Sequence, residues 1–335
     1  MATIRDVAKE AGLSVGTISK VLSSPEKVSK NNLSKAQAAI KKLNYKPNML
    51  AQKFRHKQSS TVVVMVPDIA NLFFAQVISG IEKVAQKKNY NVLIGDTEDS
   101  TKREMEFVRM VETRLADGII NLRPYLAHDS ILPKSGVIAI SAAGCENTPY
   151  PSVRIDNAGA SKKVVDYLIS LGHRRIGVVS GLANNPHSID RLKGYQLALE
   201  QAGIPFDPEL IVEGDFNFWS GLNAVEYFTR MPRLPSALFC MNDEMAIGAM
   251  KGLTNKGIKV PEHISVSGFD DMEVSRYCTP TLTSIAQPAG KIGEKSAELL
   301  LSLIEGSQPS QMEHVLPYEF VIRESTAPPR SPDNS

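Results

Sequence analysis

From residue 61 onward the chain alternates, and the alternation constrains its fold more than any other feature. Short apolar runs at 61–66, 92–95, 118–122, 137–140 and 153–155 are interleaved with helical spacing at 73–87 and 101–115. The rhythm resumes with helical spacing at 161–171, 189–202, 218–229 and 244–256, and with apolar runs at 176–179, 211–213, 237–240 and 264–267. Short apolar runs that repeatedly precede amphipathic helices are the pattern of parallel sheets covered by helices. The rhythm runs twice with a break near 156–160, so two similar α/β lobes are expected, with a ligand crevice at the carboxyl ends of the strands.

The first 60 residues follow other rules. They carry 12 Lys and Arg against Asp6, Glu10 and Glu26, a net +9, while the remainder holds 26 basic and 33 acidic residues, a net −7. A small basic head on an acidic body suits an anion-binding module, most often one for nucleic acid. Within the head, Thr3 precedes Ile4, Val7, Ala8 and Ala11 as an N-cap precedes a helical stripe. Gly12 ends that helix, Ser14 caps a second one through Leu22, and Ser29 caps a third containing Ala36, Ile40 and Leu43. The second helix turns Ile18, Val21 and Leu22 inward and leaves Val15, Gly16, Thr17, Ser19 and Lys20 outward. Three short helices with a tight turn between the first two predict a helix-turn-helix unit at 1–46, whose second helix enters the major groove.

At this point the residues resemble a known family. ATIRDVAKEAGLSVGTISKVL at 2–22, with the VS…LNYKPN…A stretch through Asn48 and Ala51, is similar to the DNA-binding head of the lactose-repressor/galactose-repressor family. The resemblance implies that Val15 and Gly16 hold the variable base-reading positions beside Thr17, Ser19 and Lys20, with Thr3, Ser14 and Ser29 close by. Lys20 stands where the family usually has Arg, and a point charge lacks the bidentate fork. Residues 47–60 resemble the family's hinge, which enters the minor groove as a helix paired between two subunits. Phe54 then takes the place of a Leu wedge, flanked by Gln52 and Lys53.

The body resembles the same family through GHRRIGVVSG at 172–181, RLKGY at 191–195, NDEMAIGA at 242–249, VPEHISVSGFDD at 260–271 and PTLTSIAQP at 280–288. His263 stands where Asp is usual. The implied fold is α/β: a small all-α head, then a two-lobed body at 61–323 like that of periplasmic binding proteins, with parallel sheets and three crossover strands. Residues 324–335, Pro-rich and polar, are expected to be a disordered tail.

A sugar site needs hydrogen-bonding groups around the ring edge and an apolar clamp on its faces. Asn71-Leu72-Phe73-Phe74 resembles the NPFF-type segment of ribose-binding proteins, with Leu72 in place of Pro. Arg191, Phe216, Asn242, Asp270 and Gln287 fall on positions similar to that family's ribose contacts. Phe73, Phe74 and Phe216 would clamp the ring, and Arg191, Asn242, Asp270 and Gln287 would bind hydroxyls. Arg123 and Asp156, each at a strand end, are further candidates, and His187 would meet the base of a nucleoside. Similarity in VPDIANLFF, YNVLIGDT, RIDNAG and GDFNFWSG favours the family's nucleoside-responsive members, with cytidine as first effector and ribose or another sugar as the alternative. Purine-responsive members carry Arg where Asn185 stands.

Other functions lack their motifs. There is no GxSxG, no Walker A, no GxGxxG after the first strand and no metal-spaced His/Cys set; the three cysteines, Cys145, Cys240 and Cys278, form no CxxC. An enzyme is therefore not expected, nor is a cofactor. No apolar run approaches membrane-spanning length and the N-terminus is polar, so a cytoplasmic protein is expected rather than an exported sugar-binding one. Expected partners are double-stranded operator DNA, a small effector, a second copy of the chain in a homodimer, and a second transcription factor on adjacent DNA.

Overall fold

The computed structural model describes residues 2–45, 58–98, 100–124, 136–144, 148 and 150–330. The chain divides into two compact units, Met1–Ser60 and Thr61–Ser335.

In the first unit, helices α1 (Ile4–Ala11), α2 (Val15–Ser23) and α3 (Lys30–Lys42) each start at a hydroxyl cap, and a short 3-10 turn (Pro25–Lys27) lies between α2 and α3. The Thr3 hydroxyl accepts the Asp6 N–H (3.3 Å), and the Asp6 carboxylate accepts the Thr3 N–H (2.8 Å), so a full capping box starts α1. Gly12 closes it at φ 63°, a left-handed conformation that needs no Cβ. Val7, Ala8, Ile18, Val21, Ala36 and Ala39 then meet in a small core of their own. The apolar residues of each helix recur at three and four positions, which places them on one face.

The second unit has two parallel sheets. Strands β1 (Thr61–Val66), β2 (Asn91–Asp96), β3 (Gly118–Asn121), β4 (Ala139–Ala142), β5 (Ser152–Arg154) and β11 (Glu313–Val315) form the first, in the order β11-β5-β4-β3-β1-β2. Strands β6 (Ile176–Ser180), β7 (Ile211–Glu213), β8 (Ala237–Cys240) and β9 (Ser265–Ser267) form the second, in the order β7-β6-β8-β9. Helices α4 (Leu72–Lys87) and α5 (Thr101–Glu112) serve the first lobe, and α6 (Asn157–Ser170), α7 (Pro186–Gln201), α8 (Phe218–Phe228) and α9 (Asp243–Asn255) the second. A small antiparallel pair, β10 (Ser284–Ala286) with β12 (Glu319–Val321), lies beside α6. The chain passes between lobes after β5, after β10 and after β11. Val62 to Val66 are all at most 2% exposed, which is why these runs carry no polar alternation.

Three expectations need correction. The helix expected at 161–171 begins at Asn157, because Asp156 caps it by accepting the Gly159 N–H at 2.8 Å. A further helix, α10 (Ala289–Ile304), packs on α4, and the alternation read from the sequence stopped before it. Residues 324–330 are not disordered. Val266 N–H donates to the Ser325 carbonyl (2.8 Å), Ser325 Oγ donates to the Val266 carbonyl (2.6 Å), and Ala327 N–H donates to Ser265 Oγ (3.0 Å). His173 also meets the Ala327 carbonyl at 2.9 Å. Small hydroxyl side chains that match a backbone edge tie this polar strap down, which composition alone does not reveal. Residues 331–335 lie outside the described residues.

Candidate functional site

In the head, the first turn of α2 carries the expected DNA contacts. Ser14 Oγ accepts the Thr17 N–H (3.1 Å) and lies 2.9 Å from the Thr17 hydroxyl, so both side chains are tied to the helix start. Val15, Gly16 and Lys20 are exposed and Thr17 and Ser19 half-buried. Thr3 and Ser29 sit at the N-termini of α1 and α3 as caps, with Ser29 Oγ accepting the Asn32 N–H at 3.4 Å. Asn48, Ala51, Gln52, Lys53 and Phe54 lie outside the described residues. Exposed residues and polar side chains at the start of a helix, as here, are of the kind that meet phosphates and base edges.

In the body, the strand ends of both lobes enclose a cavity of about 370 Å³. Asn71, Phe73, Phe74, Arg123, His187, Arg191, Phe216, Asn242, Asp270 and Gln287 all line it. Asp156 does not: its exposed side chain caps α6, and Asn157, one residue on, faces the cavity instead. The Phe73 and Phe74 rings meet edge to face with centroids 5.7 Å apart. Phe216 lies over Gly181, where any Cβ would overlap its ring. Ala143 (φ 54°), Phe216 (φ 67°) and Asp270 (φ 109°) line the cavity in left-handed backbone conformations that side chains other than glycine seldom adopt. Such strain persists where surrounding bonds over-determine it. For Asp270 these are its N–H to the Ile285 carbonyl (2.8 Å) and its carboxylate, which accepts from Gln287 Nε2 (2.7 Å).

The polar groups hold one another. Arg191 donates from Nε to Asn157 Oδ1 (2.9 Å) and from Nη1 to the Met241 carbonyl, while Nη2 faces Asp270 Oδ1 at 3.7 Å. Its guanidinium lies 3.7 Å from the Phe269 ring centroid, a stacked cation–π arrangement. Burial pushes Asp270 up to about 6, with Arg191 and Gln287 opposing the rise. Burial also brings His187 down to about 3, helped by the charge of Arg191, so its imidazole is neutral. Its Nδ1 lies 3.5 Å from Asn157 Nδ2, and the Ala143 carbonyl opposes the fall. Asn242 is committed: Oδ1 caps α9 through Met245 N–H (2.9 Å), and Nδ2 donates to the Phe216 carbonyl (2.7 Å). It shapes the wall by holding Phe216. Arg123 pairs with the buried Glu104 at 2.7 Å. His263, outside the cavity, accepts the Lys259 N–H at 2.9 Å on an exposed turn.

Sequence reasoning missed Asp68, Asn157, Asp215 and Glu244 on the cavity wall. Glu244 lies inside the NDEMAIGA motif and Asn157 inside RIDNAG, so the signals were present but assigned to neighbours. Burial, with Asp270 and Asp68 nearby, pushes Glu244 up to about 7. Among the described residues no group of His, Cys, Asp or Glu could hold a metal ion, and no helix is long and apolar enough to cross a membrane.

Residues 3–48 match the model of the bacterial regulatory proteins of the lacI family, and 165–326 match a periplasmic binding protein-like domain. The transcriptional repressor CytR of Escherichia coli K12 is 36% identical over 97% of this chain and 96% of its own length. The chain belongs to the LacI family. Another similar relative is catabolite control protein A of Priestia megaterium, 34% identical over 97% of this chain and 99% of its own. A lac repressor dimer bound to operator and the anti-inducer ONPF superposes with a TM-score of 0.89, at 29% identity, covering 97% of this chain and 99% of that one. A CelR–cellobiose complex gives a TM-score of 0.73 at 29% identity, covering 97% and 100%. As a LacI-family member the chain is a DNA-binding transcriptional repressor and not an enzyme.

Proposed function

We propose that this LacI-family repressor binds operator DNA as a cytoplasmic homodimer and that a ribose-containing effector, a nucleoside such as cytidine, sets its operator affinity. The observation that carries the reading is convergence. Asn71, Phe73, Phe74, Arg191, Phe216, Asp270 and Gln287 come from separate segments of two lobes and line one cavity. Aromatic faces with a carboxylate and amide at the rim suit a furanose and its hydroxyls. Likeness to CytR supports the nucleoside over the free sugar. A sugar-responsive repressor is the second reading, supported by likeness to the CelR–cellobiose complex. The lac repressor dimer on its operator supports the two-fold assembly. The effector acts to the extent that it binds one state of the body better than another.

Calorimetry with cytidine, 2′-deoxycytidine, ribose and glucose tests the pocket. Cytidine should bind best and its 2′-deoxy analogue about tenfold more weakly, since a buried polar group left without its hydroxyl is costly. Glucose binding more tightly than ribose and cytidine would overturn the reading. Gel shifts with the same compounds give the sign of the effect on operator binding, and sedimentation tests the dimer.

A further inference from the structure

A site for a phosphate ester offers uncommitted cations or open helix N-termini. This cavity has taken up both. Its described lining holds two cations, Arg123 and Arg191. Arg191 is committed on every side, to Asn157, Met241, Asp270 and the face of Phe269. Arg123 is matched by Glu104, whose carboxylate is buried. His187 is neutral. The helix ends are closed in the same way. Asn71, Asn185, Asn217 and Asn242 all line the cavity, and each caps a helix: they accept the N–H of Phe73 (3.0 Å), His187 (2.9 Å), Ser220 (3.0 Å) and Met245 (2.9 Å). With Asp270 matched to Arg191, three further carboxylates remain on the wall: Asp68, Asp215 and Glu244, the last only 7% exposed.

We propose that this surplus of carboxylates selects an unphosphorylated effector, neutral or amine-bearing, whose N–H or O–H donors face Glu244 and Asp68. Above pH 7, where Glu244 is ionised, both carboxylates only accept, so an exocyclic amine is favoured over a carbonyl at that edge. A phosphate there meets like charge, and the cations of the described lining, Arg123 and Arg191, are already paired. The inference rests on the ribose-type reading for its first choice of probe, but the charge matching holds for any polyol in the cavity.

The test is calorimetry on the full chain with each compound paired with its own ester: cytidine and its 5′-monophosphate, ribose and its 5-phosphate, glucose and its 6-phosphate, with uridine added. In every pair that binds, the free compound should exceed its ester by about 100-fold, the effect of several kcal/mol of like-charge repulsion. Cytidine should exceed uridine, and a Glu244→Gln, Asp68→Asn variant should narrow both gaps by about tenfold. If glucose binds while ribose and cytidine do not, the ribose reading fails, and a weaker glucose 6-phosphate still supports the charge argument. An ester that binds as tightly as its parent, or a chain that binds no free member, overturns the proposal. Should the double variant not fold, the wild-type pairs alone decide.

Discussion

In the head, every described residue expected to meet DNA lies between Thr3 and Ser29, on three helices that cap themselves with their own hydroxyls. In the body, one cavity gathers side chains from Asp68 to Gln287, on both sheets and both lobes. The head's electrostatics are as local as its geometry, a +9 excess within 60 residues, whereas the body's charges matter through their pairing. A binding face presented by one helix can be read from spacing and charge. A site assembled by topology becomes physical only when the strand order is known, and its residues must satisfy one another before they meet a ligand. Mutations should therefore behave differently in the two units: severe and stability-linked in the body, mild and specificity-linked in the head.

The largest effect is expected from Asp270→Ala. Arg191, whose side chain is 5% exposed, would lose its carboxylate while remaining buried. Breaking such a pair typically costs about 3–5 kcal/mol. Effector response should vanish with it, while salt-dependent operator binding by the head stays. Circular dichroism during denaturant unfolding of the full chain measures the loss. A loss below about 1 kcal/mol, the size of an ordinary hydrogen bond, would show that Asn157 and Phe269 alone hold Arg191.

Next comes the C-terminal strap. Arg323 reaches Asp271 at 2.6 Å and donates to the Leu282 carbonyl; Asp271, 5% exposed in its side chain, follows Asp270 in a left-handed conformation of its own (φ 49°). Arg276 touches the same carboxylate at 3.2 Å, but its side chain is 62% exposed. Arg323→Ala should cost about 3 kcal/mol and weaken effector binding, against under about 1 kcal/mol for Arg276→Ala. Equal losses would mean that the strap does not brace the pocket.

That strap also marks where the sequence stops being legible. The runs at 211–213 and 237–240 coincide with β7 and β8 because both strands are bounded by turn residues and contain only side chains suited to a sheet. The strands β10, β11 and β12, three residues long like β7, fall outside the strand–helix alternation that marked β7. Asp156 and Asn157 differ by one position, and the turn of α6 decides which faces the cavity. Asn242 and His187 line the cavity, yet the bond of Asn242 to Phe216 and that of His187 to Asn157 join residues remote in the chain. The head's caps needed no such knowledge, since each bond spans three residues.

A pH series sharpens the contrast. Glu244 titrates near 7 in the folded body against an ordinary 4.5, so the folded state holds its proton more tightly. Its contribution to stability is whole below pH 4.5 and is lost as pH rises to 7. His187, brought down to about 3 from 6.5, acts in the opposite sense: its contribution is whole above pH 6.5 and is lost as pH falls. Glu244→Gln should remove the first slope, gaining about 3 kcal/mol relative to the unmutated chain between pH 4.5 and 8. Unfolding followed by circular dichroism at pH 4.5 and pH 8 measures it, and an unchanged difference would show that Glu244 is solvated.

The smallest effects belong to the start of α2, and there two neighbours should part company. Ser14→Ala removes the cap that accepts the Thr17 N–H at 3.1 Å and should cost about 1 kcal/mol of local stability. Gly16→Ala should cost none. A Cβ at Gly16 meets only Ser14 Oγ, at 3.7 Å, and the backbone there is helical, where Ala is favoured over Gly by about 0.5–1 kcal/mol at an interior position and less near an end. The added methyl points into open space on the exposed face, so it should alter which operators are preferred while leaving the fold intact. Hydrogen exchange of the α2 amides in the full chain separates the outcomes: protection falls for Ser14→Ala and holds or rises for Gly16→Ala. Lost protection in Gly16→Ala would show that this face is packed rather than open, and the head would then resemble the body in tying its binding residues to its core.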